Sequence, residues 1–233
     1  MEARSARGYR TRARVGLAVV LASACVGTLA TSVTAADAAP AVTAPATAAP
    51  GSRVREYDPI ATVALEAVDA LQAALDAPAG ASVSLGQYQA LRSQIATELA
   101  NRLSIDPARM IAAWQNADLA HQLALMAAFS QLGVPYHRNT SRAGEGFDCS
   151  GLTTYAWGIA GATLTRQSGA QIRNAAKRTA NTAMAGDLLY YPGHVMLWLG
   201  VDNAIVHAPY TGTNVQVDNM TKRGGARFGN PIG

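Results

Sequence analysis

The feature that most restricts the fold of this chain is a change of character at Gly133. Upstream of it, apolar residues recur at spacings of three and four, the repeat of one helix face. Downstream come Gly-rich turns, one helix after Cys149, and short strands at 187–191, 195–199 and 204–208. A run of helices followed by a run of strands predicts an α+β domain. Within the first part, Ile60, Ala64, Val68, Leu71 and Leu75 mark one stripe, which the run Ala77-Pro78-Ala79-Gly80 ends. Ser84 and Gln87 form a capping box ahead of a second stripe, Leu85, Tyr88, Leu91, Ile95, Leu99 and Leu103, so the pair is expected as an antiparallel helical hairpin. Asp106-Pro107 opens a helix carrying Trp114, and Leu119, Leu123, Met126 and Phe129 form the apolar side of another.

Hydrophobic residues make up 49% of the 233 positions, which excludes a chain disordered throughout. The formal charge of +4 suggests nucleic acid, but Arg4, Arg7, Arg10, Arg12 and Arg14 against Glu2 account for all of it. The remainder is neutral, which removes the electrostatic argument for a nucleic-acid binder. Those arginines precede an uncharged stretch, Val15 to Ala36, whose apolar start gives way to small residues. This is the layout of an export signal, expected over residues 1–36. The residues leave open an uncleaved anchor or a lipoprotein acylated at Cys25; in each case the chain beyond it faces outward, and contact with membrane is confined to this segment. Residues 37–54, mostly Ala, Pro, Thr and Val, read as a disordered tether. Helices are then expected over 55–129 and the α+β domain over 130–233. The helical part is acidic and the rest basic, two faces that attract each other or are simply solvated.

Removal of the signal leaves Cys149 as the one cysteine, which cannot form an internal disulfide. Asp148 is placed to cap a helix with Cys149 in its first turn, where unpaired N–H groups and the helix dipole favour thiolate. A thiolate nucleophile needs a proton carrier, and four histidines are available: His121, His137, His194 and His207. His194 opens one strand and His207 lies on the next, across the turn 200–203. Antiparallel pairing there makes them diagonal neighbours on one face, so one imidazole can act as acid and base while the other holds its tautomer. Zinc held by Cys149 and two histidines is the competing chemistry, but no obvious fourth ligand accompanies them. His121 is expected to be solvated on its amphipathic helix, and His137 to line a cleft without reacting.

Six segments occur in order: Gly133-Val134-Pro135-Tyr136, Phe147-Asp148-Cys149-Ser150-Gly151-Leu152, Leu164 to Gln171, Gly186-Asp187-Leu188, His194-Val195 and Val206-His207-Ala208-Pro209. Together they resemble the NlpC-type cell-wall cysteine peptidases, including Rip-like peptidoglycan endopeptidases, over residues 130 to 220. The resemblance implies a papain-like α+β domain that hydrolyses peptidoglycan stem peptides, commonly between D-glutamate and diaminopimelate, without metal or cofactor. It implies Cys149 as nucleophile, His194 as base and His207 as the residue orienting it. Tyr136 corresponds to a tyrosine lining the oxyanion site, Asp148 and Ser150 to residues contacting the stem peptide, and Arg166 to a position near the cleft. The chain departs from the family in Thr165, where proline is usual, in the absence of a Gly-Gly pair after Tyr136, and in Met196, where a glycine or alanine is usual. The bulk of Met196 points to a narrower substrate groove. A wall-binding or scaffolding module and an amidase on the same fold are the competing functions. The helical part, outside the resemblance, is expected as a lid, a docking site for a protein partner or a spacer.

Overall fold

The computed structural model describes residues 58–77, 83–220 and 225–233. The expected export segment, the tether and the Pro78–Gly80 break lie outside these residues. Four helices come first: α1 (Pro59–Asp76), α2 (Val83–Leu103), α3 (Pro107–Asn116) and α4 (Leu119–Phe129). A two-stranded ribbon, β1 (Ser141–Arg142) with β2 (Gly146–Phe147), leads into α5 (Cys149–Ile159) and α6 (Ser168–Asn174). The remaining strands are β3 (Ala176–Arg178), β4 (Leu188–Tyr191), β5 (His194–Trp198), β6 (Ala204–His207), β7 (Gln216–Asn219) and β8 (Arg227–Asn230). They form one antiparallel sheet in the order β3-β8-β4-β5-β6-β7, so the expected α+β class is the observed one.

Local sequence explains most of these boundaries. Asp58 accepts from the Ile60 N–H at 3.0 Å ahead of Pro59, and Asp106 from the Ala108 N–H at 2.9 Å ahead of Pro107. Each aspartate satisfies an otherwise unpaired N–H of the first turn, and each proline occupies a position where its missing N–H does no harm. Ser84 lies inside the first turn of α2 rather than ahead of it, because the helix starts at Val83. The two expected stripes are buried at Ile60, Ala64, Val68 and Leu71 and at Tyr88, Ile95, Leu99 and Leu103, and α1 and α2 pack together.

The reading of α4 as amphipathic needs correction. Every residue from His121 to Phe129 is buried, because α1 covers one side of α4 and α5 another. A helix apolar all round belongs in the interior. Its polar residues are paired accordingly: the Gln122 side-chain oxygen accepts from the Tyr88 hydroxyl at 2.8 Å and from Arg92 at 2.6 Å, while its amide donates to the Ala117 carbonyl at 2.7 Å. His121, expected to be solvated, is wholly buried. Its Nδ1 lies 2.8 Å from an Asp118 oxygen and its Nε2 3.1 Å from an Asp187 oxygen, with the ring edge against Trp157. Burial alone pushes the His121 imidazole down, but the Asp187 and Asp118 carboxylates outweigh it and hold it above the ordinary histidine range.

One apolar cluster runs without a break from Ile60 in α1 through Phe129, Phe147, Trp157, Val195 and Val206 to Val215. The described residues accordingly make one compact unit. Leu189, Met196, Trp198 and Ile205 form a second cluster on the opposite face of the sheet. Alternation along β5 sends Val195 and Leu197 to the first cluster and His194, Met196 and Trp198 to the other side. The indole N–H of Trp114 donates to the Leu199 carbonyl at 2.9 Å, and Arg109 forms a two-pronged pair with Asp202 at 2.8 and 3.0 Å, so α3 is tied to the β5–β6 connection. Among the described residues no helix is long and apolar enough to cross a membrane.

Candidate active site

Cys149 is the first residue of α5, as the cap signal predicts. One Asp148 oxygen accepts from the Gly151 N–H at 2.8 Å and the other from the Asn139 N–H at 2.8 Å, so a single carboxylate caps the helix and pins the preceding loop. Arg166 grips both of its oxygens, at 2.8 and 2.7 Å, and reaches the Ser150 hydroxyl at 2.9 Å and the Thr140 carbonyl at 3.1 Å. Burial pushes the Asp148 carboxyl up, but Arg166 and the two backbone N–H groups bring it below the ordinary carboxylate range, so it stays charged. Asp148, Ser150 and Arg166 thus form one bonded cluster at the start of α5. Gly151 permits it: a Cβ there would lie 2.0 Å from the Thr140 carbonyl oxygen.

Cys149 is a half-buried free thiol packed against the main core. Tyr136 stands nearby, with its N–H donating to the Thr213 carbonyl at 2.8 Å and its backbone bridged to Phe147. Burial first, then the charges of Asp148 and Cys149, raise the Tyr136 hydroxyl above its ordinary range, so it remains a proton-bearing donor. His137 is exposed, its ring lying over Gly146.

The second group lies on the sheet. β4 and β5 are joined by the tight turn Pro192-Gly193, with Tyr191 opposite His194. In β5 and β6, Leu197 pairs with Val206 and Trp198 with Ile205, a register that puts His207 diagonal to His194, as the spacing of the turn predicts. The two side chains meet: His194 Nε2 is 2.9 Å from His207 Nδ1, with the rings edge to face and 5.1 Å apart. Both are buried, and burial pushes the His207 imidazole down to about 4, so it is neutral across the physiological range. A cavity of about 270 Å³ borders both histidines and Met196. α5 packs directly on β5, so the helix that carries the thiol and the strand that carries His194 are neighbours. Among the described residues no three His, Cys, Asp or Glu side chains are grouped so as to hold a metal ion.

Two polar features of the site escaped the sequence reading. Gln171 is buried, and its side chain donates to the Ser150 and Thr165 carbonyls at 3.0 and 2.9 Å while accepting from Thr153 at 2.7 Å. It staples the α6 segment to the first turn of α5; its place in the Leu164–Gln171 motif was the available signal. Asp187, wholly buried at the start of β4, holds the Met184 N–H at 2.9 Å as well as His121, joining the helical region to the sheet.

Residues 133–227 match the model of the NlpC/P60 family. The chain is 31% identical over 121 residues to the peptidoglycan endopeptidase RipA of Mycolicibacterium smegmatis, covering 45% of this chain and 24% of that protein. It is 33% identical over 129 residues to the peptidoglycan endopeptidase RipB of Mycobacterium tuberculosis, covering 48% of this chain and 53% of that one. The chain therefore spans between a quarter and about half of the length of these two relatives. Among solved structures, RipD from Mycobacterium tuberculosis, described as a non-catalytic NlpC/p60 domain protein adapted to peptidoglycan binding, aligns with a TM-score of 0.42 and 27% identity over 49% of this chain and 98% of that one.

Proposed function

We propose that this chain is an exported cell-wall hydrolase, a cysteine endopeptidase that cleaves peptidoglycan stem peptides at a bond of the D-glutamyl-diaminopimelate type. The observation that carries this reading is the buried His194–His207 pair, which joins β5 to β6, with the Cys149 helix in contact with β5. Because His194 Nε2 is engaged by His207, Nδ1 is the nitrogen that takes the thiol proton. The Cys149 thiolate formed by that transfer attacks the stem-peptide carbonyl. The resulting oxyanion is held by the Cys149 backbone N–H and the Tyr136 hydroxyl, and His194 returns the proton to the leaving amine. Water, deprotonated by the same imidazole, then hydrolyses the thioester, releasing the D-glutamyl carboxylate and restoring the thiol. His207, neutral and fixed, orients His194. Asp148, Ser150 and Arg166 hold the first turn of α5 and present its polar edge to the stem peptide. The helices of residues 55–129 serve as a buttress that shares the core, rather than as a lid.

Digestion of purified peptidoglycan by the intact chain, with mass analysis of the fragments, tests this reading. Scission within the stem after D-glutamate, absent with Cys149→Ala, is the expected result. Release of whole stems would instead make it an amidase. Binding to the wall without any scission would make it a binding module.

A further inference from the structure

The proton inventory of the His194–His207 pair leads to one more residue. This inference rests on the reading of His194 as the base. For His194 to accept the thiol proton at Nδ1, its Nε2 must carry hydrogen and donate it to His207 Nδ1. His207, being neutral, must then hold its own proton on Nε2. That Nε2 is buried and, among the described residues, has no hydrogen-bond partner. A buried N–H left unpaired opposes the tautomer that catalysis requires, because with Nδ1 protonated His207 would donate to His194 and occupy the wrong nitrogen.

His207 borders the cavity of about 270 Å³, which Gln216, Asp218 and Asn219 also line. This is ample for a bridging water, whose share of liquid volume is about 30 Å³. In the β6–β7 ladder Gln216 is the residue directly opposite His207, so both side chains stand on the same face. Asp218 follows on that face but is exposed, and one of its oxygens accepts the Asn219 N–H at 2.7 Å. Gln216 is half-buried and lines the same cavity as His207 with a neutral carboxamide.

We propose that Gln216 is a positioning residue: its carboxamide oxygen accepts the His207 Nε2 proton across one water in this cavity and so selects the tautomer that leaves His194 Nδ1 for Cys149. Gln216 touches neither thiol nor substrate in this arrangement; it acts through His207.

The test is a long-range proton–nitrogen NMR correlation on the nitrogen-labelled intact chain, which reads directly which ring nitrogen of His207 carries hydrogen. The wild type should show Nε2–H. Gln216→Leu should move His207 to the Nδ1–H form and lower kcat on a synthetic stem peptide about tenfold with KM little changed, the size expected for one lost hydrogen bond. Gln216→Glu, which keeps an acceptor, should preserve the tautomer and restore most of the rate, and it carries the test should the leucine variant not fold. An Nδ1–H wild type, or Gln216→Leu with tautomer and kcat unchanged, overturns the proposal. A switch produced by Asp218→Asn but not by Gln216→Leu also overturns it, by assigning the acceptor to Asp218. If the wild type turns over no stem peptide, the endopeptidase reading fails, while the tautomer comparison still decides the role of Gln216.

Discussion

The carboxylate of Asp148 collects two backbone N–H groups and both terminal nitrogens of Arg166, so one side chain caps a helix, pins a loop and anchors a cation. Replacing Arg166 with alanine leaves the carboxylate with fewer partners and the Thr140 carbonyl with the Asp148 N–H as its remaining donor. Since Arg166 is partly open to solvent, Arg166→Ala should lower stability by about 1–2 kcal/mol in a denaturant titration. Two histidines give stability a pH dependence near neutrality. His207 is pushed down to about 4, so below about pH 6.5 the unfolded chain takes up a proton that the folded one refuses, and stability falls with pH. His121 is pushed the other way: its contribution is complete below about pH 6.5 and is lost as pH rises through its elevated folded value. Melting temperature should therefore peak near about pH 6.5, and His121→Gln should flatten the alkaline side of that peak. An unchanged alkaline slope in the variant would rule out His121 as its origin. Cys149, His194 and His207 were legible as candidates because a helix-start signal and a strand parity argument need only local spacing. The burial of His121 was not, since its partner Asp187 lies on another element and only the tertiary packing of α4 brings them together.

The first turn of α5 is held from both sides, by the Thr140 carbonyl over Gly151 and by Gln171 under Ser150. A methyl group at Gly151 would have to displace backbone rather than a flexible side chain. Gly151→Ala should lower stability by about 1–3 kcal/mol, read from the unfolding midpoint, and slow any reaction that depends on Cys149. Gln171→Leu removes a buried hub that donates to two carbonyls and accepts from Thr153, and should lower stability by about 2–4 kcal/mol by the same measurement. At this scale the sequence was informative wherever ends are marked by local chemistry, as at Asp106-Pro107 or at the Pro192-Gly193 turn between β4 and β5. It misled at α4, where a three-and-four spacing of large residues resembles one apolar face although the intervening alanines and His121 are buried as well. Alanine contributes little to such a pattern, but it lets helices approach closely, which is how α1 and α5 come to cover α4.

Across the whole molecule, the helical region and the sheet share one apolar core, and Phe129 and Trp157 are wholly buried within it. Phe129 stacks on Trp114, so Phe129→Ala should lower stability by about 3–5 kcal/mol, measured by chemical unfolding. Deleting residues 55–129 should yield an insoluble or unfolded product, because it strips the cover from Trp157 and takes His121 away from the wholly buried Asp187. A soluble truncated domain with raised activity would instead restore the lid reading. This shared core was the least legible feature, since the resemblance starts near residue 130 and periodicity says which face is apolar, not what covers it. The central claim is that Cys149 is the nucleophile of a stem-peptide hydrolase. It is tested most directly by the rate at which the intact chain and its Cys149→Ala variant cleave a synthetic L-alanyl-γ-D-glutamyl-diaminopimelate peptide. The account predicts a product ending in D-glutamate and a fall of at least about a thousandfold in the variant. Equal rates from the two proteins would contradict it.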